Sequence, residues 1–197
     1  MPPSRDPHAG KSLRLLTLGS AVLVDANQTP VVEQRRRIAL LALVASSGSR
    51  GISRDKLIAY LNPDSTTDSA RHALHQLLYY LRQQVDDELF QGTDPLRLNP
   101  SLVTCDVTEF DEAYRSGRLE DAAGWYRGPF LDGFHLPDSG EFEDWVSGER
   151  AILSARYRYI LRQLVQQSRA RGDHVATVTW SAALAAQDPL SASAALE

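Results

Sequence analysis

Residues 62–85 read NPDSTTDSARHALHQLLYYLRQQV and hold the pattern that decides how the first half of the chain folds. Pro63 favours a turn, and Thr66 or Thr67 can cap a helix that runs to about Val85. Apolar residues of this helix recur three or four positions apart and form one stripe with Leu77 at its flank: Ala70, Leu74, Leu78, Leu81 and Val85. The opposite face is mostly polar, so the sequence predicts a surface helix anchored on a core by one side.

The residues before this helix predict a small antiparallel sheet and two shorter helices. Apolar or alternating runs separated by turn residues indicate three short strands, at 13–18, 21–24 and 29–32. Apolar residues with helical spacing from Ile38 to Ala45 predict the first helix. Ser53 is suited to cap the second helix, which is expected over 54–61.

Two short strands are predicted after the long helix, around 96–98 and 102–105, with turn residues before and between them. The element order is then a small sheet, three helices and a β-hairpin. This order is typical of a winged helix-turn-helix, in which the longer helix enters the major groove of DNA.

From residue 106 onward the sequence predicts helices alone, at 107–114, 119–126, 139–171 and 174–187. The third has an expected buried stripe: Phe142, Trp145, Val146, Ile152, Ala155, Tyr159, Leu161, Leu164 and Val165. Antiparallel helix pairs joined by short polar turns are typical of a tetratricopeptide-like solenoid. Asp188-Pro189 predicts the start of a further helix, and the sequence stops inside it, so we expect the helical domain to be truncated at its C-terminus.

Charge divides the chain at the same place. Residues 1–105 carry 12 Lys/Arg and 10 Asp/Glu, a formal +2, whereas residues 106–197 carry 9 and 15, a formal −6. We therefore expect a disordered leader at 1–11, an α+β winged-helix domain at 12–105 and an all-α helical domain at 106–197. The first domain is basic enough to approach DNA, although the whole chain has a formal charge of −4.

Several classes of protein are excluded by composition. A single cysteine, Cys105, cannot form an intramolecular disulfide or a multi-cysteine metal site. The longest apolar run, Ile38 to Ala45, is too short to cross a bilayer, and residues 1–10 lack the apolar centre of a secretory signal. We expect a cytoplasmic protein.

No pattern in the sequence points to catalysis or a cofactor. His72 and His75 are spaced to share a metal ion, but no carboxylate or cysteine at suitable spacing completes the site. The motifs of hydrolases, zinc proteases and P-loop proteins are absent from the sequence. We expect neither an enzyme nor a bound metal or cofactor.

Six short stretches carry a family resemblance: SARHAL at 69–74, CDVTEF at 105–110, YRGPFL at 126–131, WVSGER at 145–150, ARGD at 170–173 and DPL at 188–190. In this order and spacing, the chain from Leu13 onward resembles the bacterial transcriptional activator domain (BTAD) family. These are regulators with an OmpR-type winged helix followed by a helical repeat domain, as in the SARP antibiotic regulators.

The resemblance implies sequence-specific binding to promoter DNA, with the helical domain serving self-association or regulation. RNA polymerase and a second copy of the chain are further candidate partners, because either could add to the affinity for DNA. The recognition helix is then about 66–85, and the expected DNA contacts are its polar face, the flanking residues and one ribbon arginine: Thr67, Arg71, His72, His75, Gln76, Tyr79, Arg82 and Arg97. Gln can pair with adenine, and Arg with guanine or phosphate.

The sequence also leaves alternatives open. Arg35-Arg36-Arg37 can contact the DNA backbone, or form a solvated face partly paired with Glu33 or the acidic second domain. The acidic stretch from Asp106 to Asp121 is expected to be a solvated face, with docking against the basic first domain as the alternative. The aromatic residues between Trp125 and Trp145 are expected to join the helix pairs as core, with a groove for a partner helix as the alternative.

A second function is compatible with the sequence. The long helix carries only two arginines, Arg71 and Arg82, and the acidic run Asp86-Asp87-Glu88 follows it. Specific DNA binding usually depends on several phosphate contacts from Lys or Arg. The alternative is therefore a protein-interaction scaffold or sensor whose winged helix has lost specific DNA binding.

Overall fold

The computed structural model describes residues 13–63 and 65–187. The expected leader at 1–11 and the expected helix start at Asp188-Pro189 lie outside these residues. The strands of the described part are β1 Leu13–Leu16, β2 Val22–Val24, β3 Pro30–Val32, β4 Phe90–Gln91, β5 Arg97–Leu98 and β6 Val103–Cys105. Its α-helices are α1 Arg35–Ser46, α2 Arg54–Leu61, α3 Thr67–Gln84, α4 Asp106–Arg115, α5 Leu119–Trp125, α6 Gly140–Ala170 and α7 His174–Ala186, and a 3-10 helix spans Gly48–Arg50.

The predicted helices are confirmed within these residues. Ser53 caps α2 as expected, because its hydroxyl accepts a hydrogen bond from the Lys56 backbone N–H at 3.3 Å. Thr66 is the residue before α3, but its side chain makes no capping hydrogen bond. None of the helices in the described part is long and apolar enough to pass through a membrane.

Helix α1 lies at the centre of the N-terminal part. All eight residues from Ile38 to Ala45 are buried. A helix that is apolar all round must be covered on every side. Helices α2, α3 and α4 and strand β5 pack against α1, and this arrangement makes the helix the common support of both halves of the chain.

The predicted hairpin of residues 96–98 and 102–105 is wrong in its pairing. Strand β5 pairs instead with β4, and the Ile52–Leu96 bridge extends this ribbon. Strand β6 runs parallel to β1, with Cys105 beside Leu15, and completes the sheet order β3-β2-β1-β6. Burial explains the choice, because Val103 and Cys105 point into the core beside β1.

The buried stripe of α6 differs in part from the prediction. Ile152 and Tyr159 are about half exposed (52% and 48%), and Ala155 is exposed too. The buried residues instead lie at steps of three, four or seven, with neighbouring pairs near the C-terminus of the helix: Phe142, Val146, Leu153, Tyr157, Ile160, Leu161, Leu164, Val165 and Ser168. Helix α6 packs against α7, and α4 packs against α5, so the second half consists of antiparallel helix pairs.

Helix α7 covers α6 with one side and leaves the other open. It has no charged side chain after His174, yet Val175 and Val178 are 79% and 68% exposed. None of the residues of α7 is fully buried.

One buried carboxylate joins the two halves of the chain. Asp106 was expected on a solvated acidic face, but it is only 5% exposed. Its oxygens accept hydrogen bonds from the backbone N–H of Thr17 (2.8 Å), of Leu18 (2.9 Å) and of Val107 (2.8 Å). The Thr17 hydroxyl adds a fourth at 2.6 Å. Asp106 therefore fixes the end of β1 to the first turn of α4.

Next to this carboxylate, residues 17–19 lie against residues 128–131, and we call this line of contacts the seam between the two halves. Leu18 forms a bridge with Phe130, and the Leu131 N–H donates to the Thr17 carbonyl at 2.7 Å. Gly19 and Gly128 make this approach possible, since a Cβ on Gly128 would lie 2.8 Å from the Gly19 Cα.

Helix α6 holds the other side of this seam. The Arg150 guanidinium donates to the Phe130 carbonyl at 2.6 Å and to the Leu131 carbonyl at 2.5 Å. The Trp145 ring packs edge-on against Phe130 (centroids 5.5 Å apart) and lies 5.9 Å from the ring of Tyr60 on α2. The buried residues of both halves therefore form one continuous core.

We predict that Asp106→Asn lowers the free energy of unfolding by about 3 kcal/mol, because an amide cannot accept all these hydrogen bonds and turns its NH₂ toward buried donors. Asp121→Asn is the matched control, because Asp121 is exposed and pairs only with exposed Arg118. Urea unfolding followed by circular dichroism measures both. Equal stability of the two variants would show that the Asp106 contacts contribute nothing net.

Candidate nucleic-acid interface

The polar face of α3 is open to solvent along its length. The expected contact residues on it are all exposed, and Tyr79 is 52% exposed: Thr67, Arg71, His72, His75, Gln76 and Tyr79. On the opposite side, Ala70, Leu74, Leu78 and Leu81 are at most 2% exposed and anchor the helix. The second half of the chain leaves this face uncovered, so α3 presents six of the eight expected residues on one accessible surface.

Two contacts order the side chains on this face. The ring Nε2 of His72 lies 2.9 Å from the amide nitrogen of Gln76, one helical turn away. The rings of Tyr79 and Tyr80 meet edge to face with centroids 5.6 Å apart. These contacts are exposed, so the same polar groups can exchange them for base edges or phosphates.

The other two expected residues lie at the ribbon. Arg82 is half-buried, and its guanidinium lies 5.9 Å from the Phe90 ring centre on β4. Arg97 is exposed on β5, where it donates to the Ser49 carbonyl at 3.3 Å. The structure thus places Arg97 beside the 3-10 helix instead of among the α3 side chains.

The tip of the ribbon is folded back onto α2. Asp94 accepts a hydrogen bond from the Arg54 backbone N–H at 3.1 Å, and the Arg54 guanidinium donates to the Thr93 carbonyl at 2.9 Å. A carboxylate at this helix N-terminus is electrostatically favourable. Gly92 allows the tight turn, since a Cβ there would lie 2.6 Å from the Pro95 carbonyl oxygen. The β4–β5 ribbon is therefore short, and its tip is held against the start of α2.

The arginine cluster at the start of α1 is engaged within the chain. Arg35 is exposed and bonds to the second half, in line with one expectation, whereas Arg36 and Arg37 are half-buried and, among the described residues, the cluster makes no ion pair with Glu33. Arg36 donates to the Leu61 carbonyl at 3.1 Å and to the Asn62 side-chain oxygen at 2.6 Å, at the C-terminus of α2. Cations are favoured at this end of a helix, where carbonyls lack helical partners.

The two neighbouring arginines join other elements. Arg35 donates to the His135 carbonyl at 2.8 Å, in the helical half of the chain. Arg37 donates to the Gln84 side chain at 2.6 Å and lies 5.1 Å from the Tyr80 ring centre. Sequence reasoning missed these roles because their acceptors are carbonyls and amides that carry no charge signal.

The remaining sequence candidates have structural roles. The aromatic residues between Trp125 and Trp145 form core as expected, with Phe130 and Phe142 fully buried. His135 pairs with Glu143 at 3.1 Å. Within residues 13–63 and 65–187 there is no group of three or more His, Cys, Asp or Glu side chains that could hold a metal ion.

Cys105 is a buried thiol at the end of β6. Burial raises its pKa to about 12, and the adjacent Asp106 carboxylate acts in the same direction. The thiolate is the reactive form of cysteine, so this side chain is inert at neutral pH.

Mycobacterium tuberculosis EmbR, solved in complex with a low-affinity phosphopeptide, has a similar structure with a TM-score of 0.52 and 20% sequence identity. The similarity covers 92% of this chain, and the chain spans 55% of the EmbR chain. No protein-family model matches the sequence, and no curated protein matches it significantly. The comparison therefore shows a shared fold that includes both halves of this chain.

We predict that Arg36→Ala lowers the free energy of unfolding by about 1.5 kcal/mol, because it leaves the Leu61 carbonyl and buried Asn62 without a donor. The control, Arg71→Ala, should change the free energy of unfolding by less than about 0.5 kcal/mol, since Arg71 is exposed. Urea unfolding of the two variants tests this contrast. A destabilising Arg71→Ala would mean that this side chain supports the fold.

We also predict that Ellman's reagent labels Cys105 about a thousandfold more slowly in the native protein than in urea at pH 8, because the raised pKa leaves little thiolate and burial blocks access. Labelling of the native protein at the rate of free glutathione would contradict this description of the site.

Proposed function

We propose that the chain is a transcriptional regulator of the BTAD/SARP type that binds promoter DNA through α3 and the β4–β5 ribbon. The observation that carries the proposal is the exposed polar face of α3, which a buried apolar face anchors on a winged-helix core. The fold similarity to EmbR supports it, because it covers both the winged helix and the helices that follow. In this proposal, residues 12–105 are the DNA-binding domain and 106–197 the regulatory helical domain.

Helix α3 has the dimensions that major-groove reading requires. Its 18 residues extend for about 27 Å at 1.5 Å per residue, and the groove admits one helix. Thr67, Arg71 and His72 lie at the N-terminal end, which meets base edges in helix-turn-helix proteins. Gln76 suits adenine, while His75 and Tyr79 suit phosphates.

The cations available to this interface are few. Arg71, Arg82 and Arg97 give at most three phosphate contacts, which corresponds to a salt slope of about −2.7 at 0.9 per contact. One copy of the chain should therefore bind DNA weakly. A second copy or RNA polymerase bound alongside would supply the missing affinity, and the helical domain is the part we assign to such contacts.

A protein-interaction scaffold is the second candidate. Two observations favour it: Arg35, Arg36 and Arg37 are used inside the chain, and Arg82 lies against Phe90. In that case the exposed Tyr79 and Tyr80 rings would contact a protein partner instead of DNA.

Fluorescence anisotropy on promoter DNA from the chain's own operon, at several salt concentrations, separates the two candidates. We predict that Arg71→Ala with Gln76→Ala weakens binding to this DNA at least about tenfold, because each side chain that reads a base contributes 1–3 kcal/mol of discrimination. Arg97→Ala should reduce the salt slope by about 0.9, because Arg97 is assigned to the DNA backbone.

The matched control is Arg162→Ala with Gln166→Ala, which removes the same residue types from an exposed face of α6. It should leave DNA affinity unchanged. Binding of the wild-type chain at the nonspecific level, with no effect of the α3 variant, would contradict the proposal. If DNA binding is only nonspecific and X-ray scattering shows that the chain forms a stable complex with another protein, the scaffold function would be favoured.

A further inference from the structure

A cavity of about 530 Å³ lies between the ribbon and the helical half of the chain. Its walls come from the end of α1, the 3-10 helix, β5, β6 and α4. Its apolar lining residues include Leu98 and Pro100, which are partly or fully open to solvent, and Val44 and Val103, which are buried behind them. Sites for small molecules in proteins have this size, are largely apolar and often lie where two parts of a chain meet.

The charged groups of this cavity stand on different walls. Arg97 belongs to β5, whereas Glu109 and Glu112 lie one turn apart on α4. Among the described residues, none of these three takes part in an ion pair within 4.0 Å. The hydrogen bond of Arg97 goes to a neutral acceptor, the Ser49 carbonyl, at 3.3 Å.

Neutral polar groups complete the lining. Thr108 on α4 faces the cavity, and its hydroxyl makes a long hydrogen bond of 3.5 Å to the Ala45 carbonyl. Gln91 on β4 lies at the ribbon side. A ligand that carries opposite charges at its two ends could thus bind both walls at once and place its body over the apolar surface.

We propose that this cavity binds a small amphipathic zwitterion, whose carboxylate pairs with Arg97 and whose ammonium group pairs with Glu109 and Glu112. An alkyl or aromatic body of the ligand packs on Leu98 and Pro100, the apolar lining residues that are accessible. Charge-assisted hydrogen bonds at both ends make the zwitterion bind more tightly than a molecule with either charge alone.

Binding here has a consequence for DNA, which rests on the function proposed above. Arg97 is one of the three cations assigned to the DNA backbone, and a ligand carboxylate on its guanidinium removes it from that role. Occupancy of the cavity therefore weakens DNA binding and reduces its salt slope by about 0.9. The cavity is thus the effector site of the regulator.

The test of the site uses no DNA. Amide shifts in two-dimensional NMR spectra of the full chain are followed during titration with ε-aminocaproate, with caproate and with hexylammonium. We expect ε-aminocaproate to bind about tenfold more tightly than either single-charge analogue, with shifts at Ser49, Arg97 and Glu109. Equal affinities of the three molecules, or shifts confined to other regions, would overturn the site.

Two variants sharpen this titration. Glu109→Gln with Glu112→Gln should reduce the affinity for ε-aminocaproate to that for caproate, whereas Glu141→Gln, an exposed carboxylate on α6, should leave it unchanged. Thr108→Trp fills the cavity from an exposed position and should abolish binding. Retained binding in the Thr108→Trp variant, with a native thermal transition, would contradict the assigned location.

The coupling to DNA is measured separately by anisotropy with and without ε-aminocaproate. The expected result is weaker DNA binding at a concentration of ε-aminocaproate that just saturates the wild type, and a smaller effect at the same concentration in Glu109→Gln with Glu112→Gln. Unchanged DNA affinity at saturating ligand would overturn the effector role and leave the binding site standing. A wild-type chain that binds no promoter DNA would reject the proposed function, while the NMR titration would still decide the site.

Discussion

The arrangement of the whole chain depends on the carboxylate of Asp106. It lies where β6 ends and α4 begins, and it satisfies the two backbone N–H groups with which β1 leaves the sheet. Unsatisfied, these buried donors would cost free energy, so the end of β1 must stay beside the start of α4. That constraint in turn brings the chain after β1 against Phe130 and sets the helical half on the same core as the winged helix.

The sequence predicts helices well here because their apolar residues recur with a clear period, as the stripe from Ala70 to Leu81 shows. It also predicts the antiparallel pairing of β1, β2 and β3, but it does not predict how the later strands pair. Strands β4 and β5 have two residues each, too few for a periodic signal, and the parallel partner of β6 is some 90 positions away in sequence. Ile152 and Tyr159 were misplaced because an apolar side chain on a long helix can remain exposed, and only the neighbouring helix decides which register is buried.

In the candidate interface, too, the helix could be predicted from the sequence, whereas the contacts that depend on tertiary folding could not. The polar face of α3 follows from the positions of Leu74 and Leu78, and the structure exposes it as expected. The internal roles of Arg36 and Arg150 could not be foreseen, because both bind carbonyls brought together by tertiary folding. Several residues in the stretches that carry the family resemblance, among them Asp106, Trp145 and Arg150, hold the seam between the halves, so the resemblance reflects shared architecture more than shared DNA contacts.

The glycines of that seam affect how such proteins can change over evolutionary time. Gly19 and Gly128 let two backbones touch across the boundary between the halves, and Tyr60 and Trp145 add a ring contact nearby. A winged helix joined by recombination to an unrelated helical domain would bring side chains where none fit and would expose apolar surface that neither piece covers alone. The two halves are therefore fitted to each other at the level of the backbone, and a change of either partner at this boundary would require a matching change in the other.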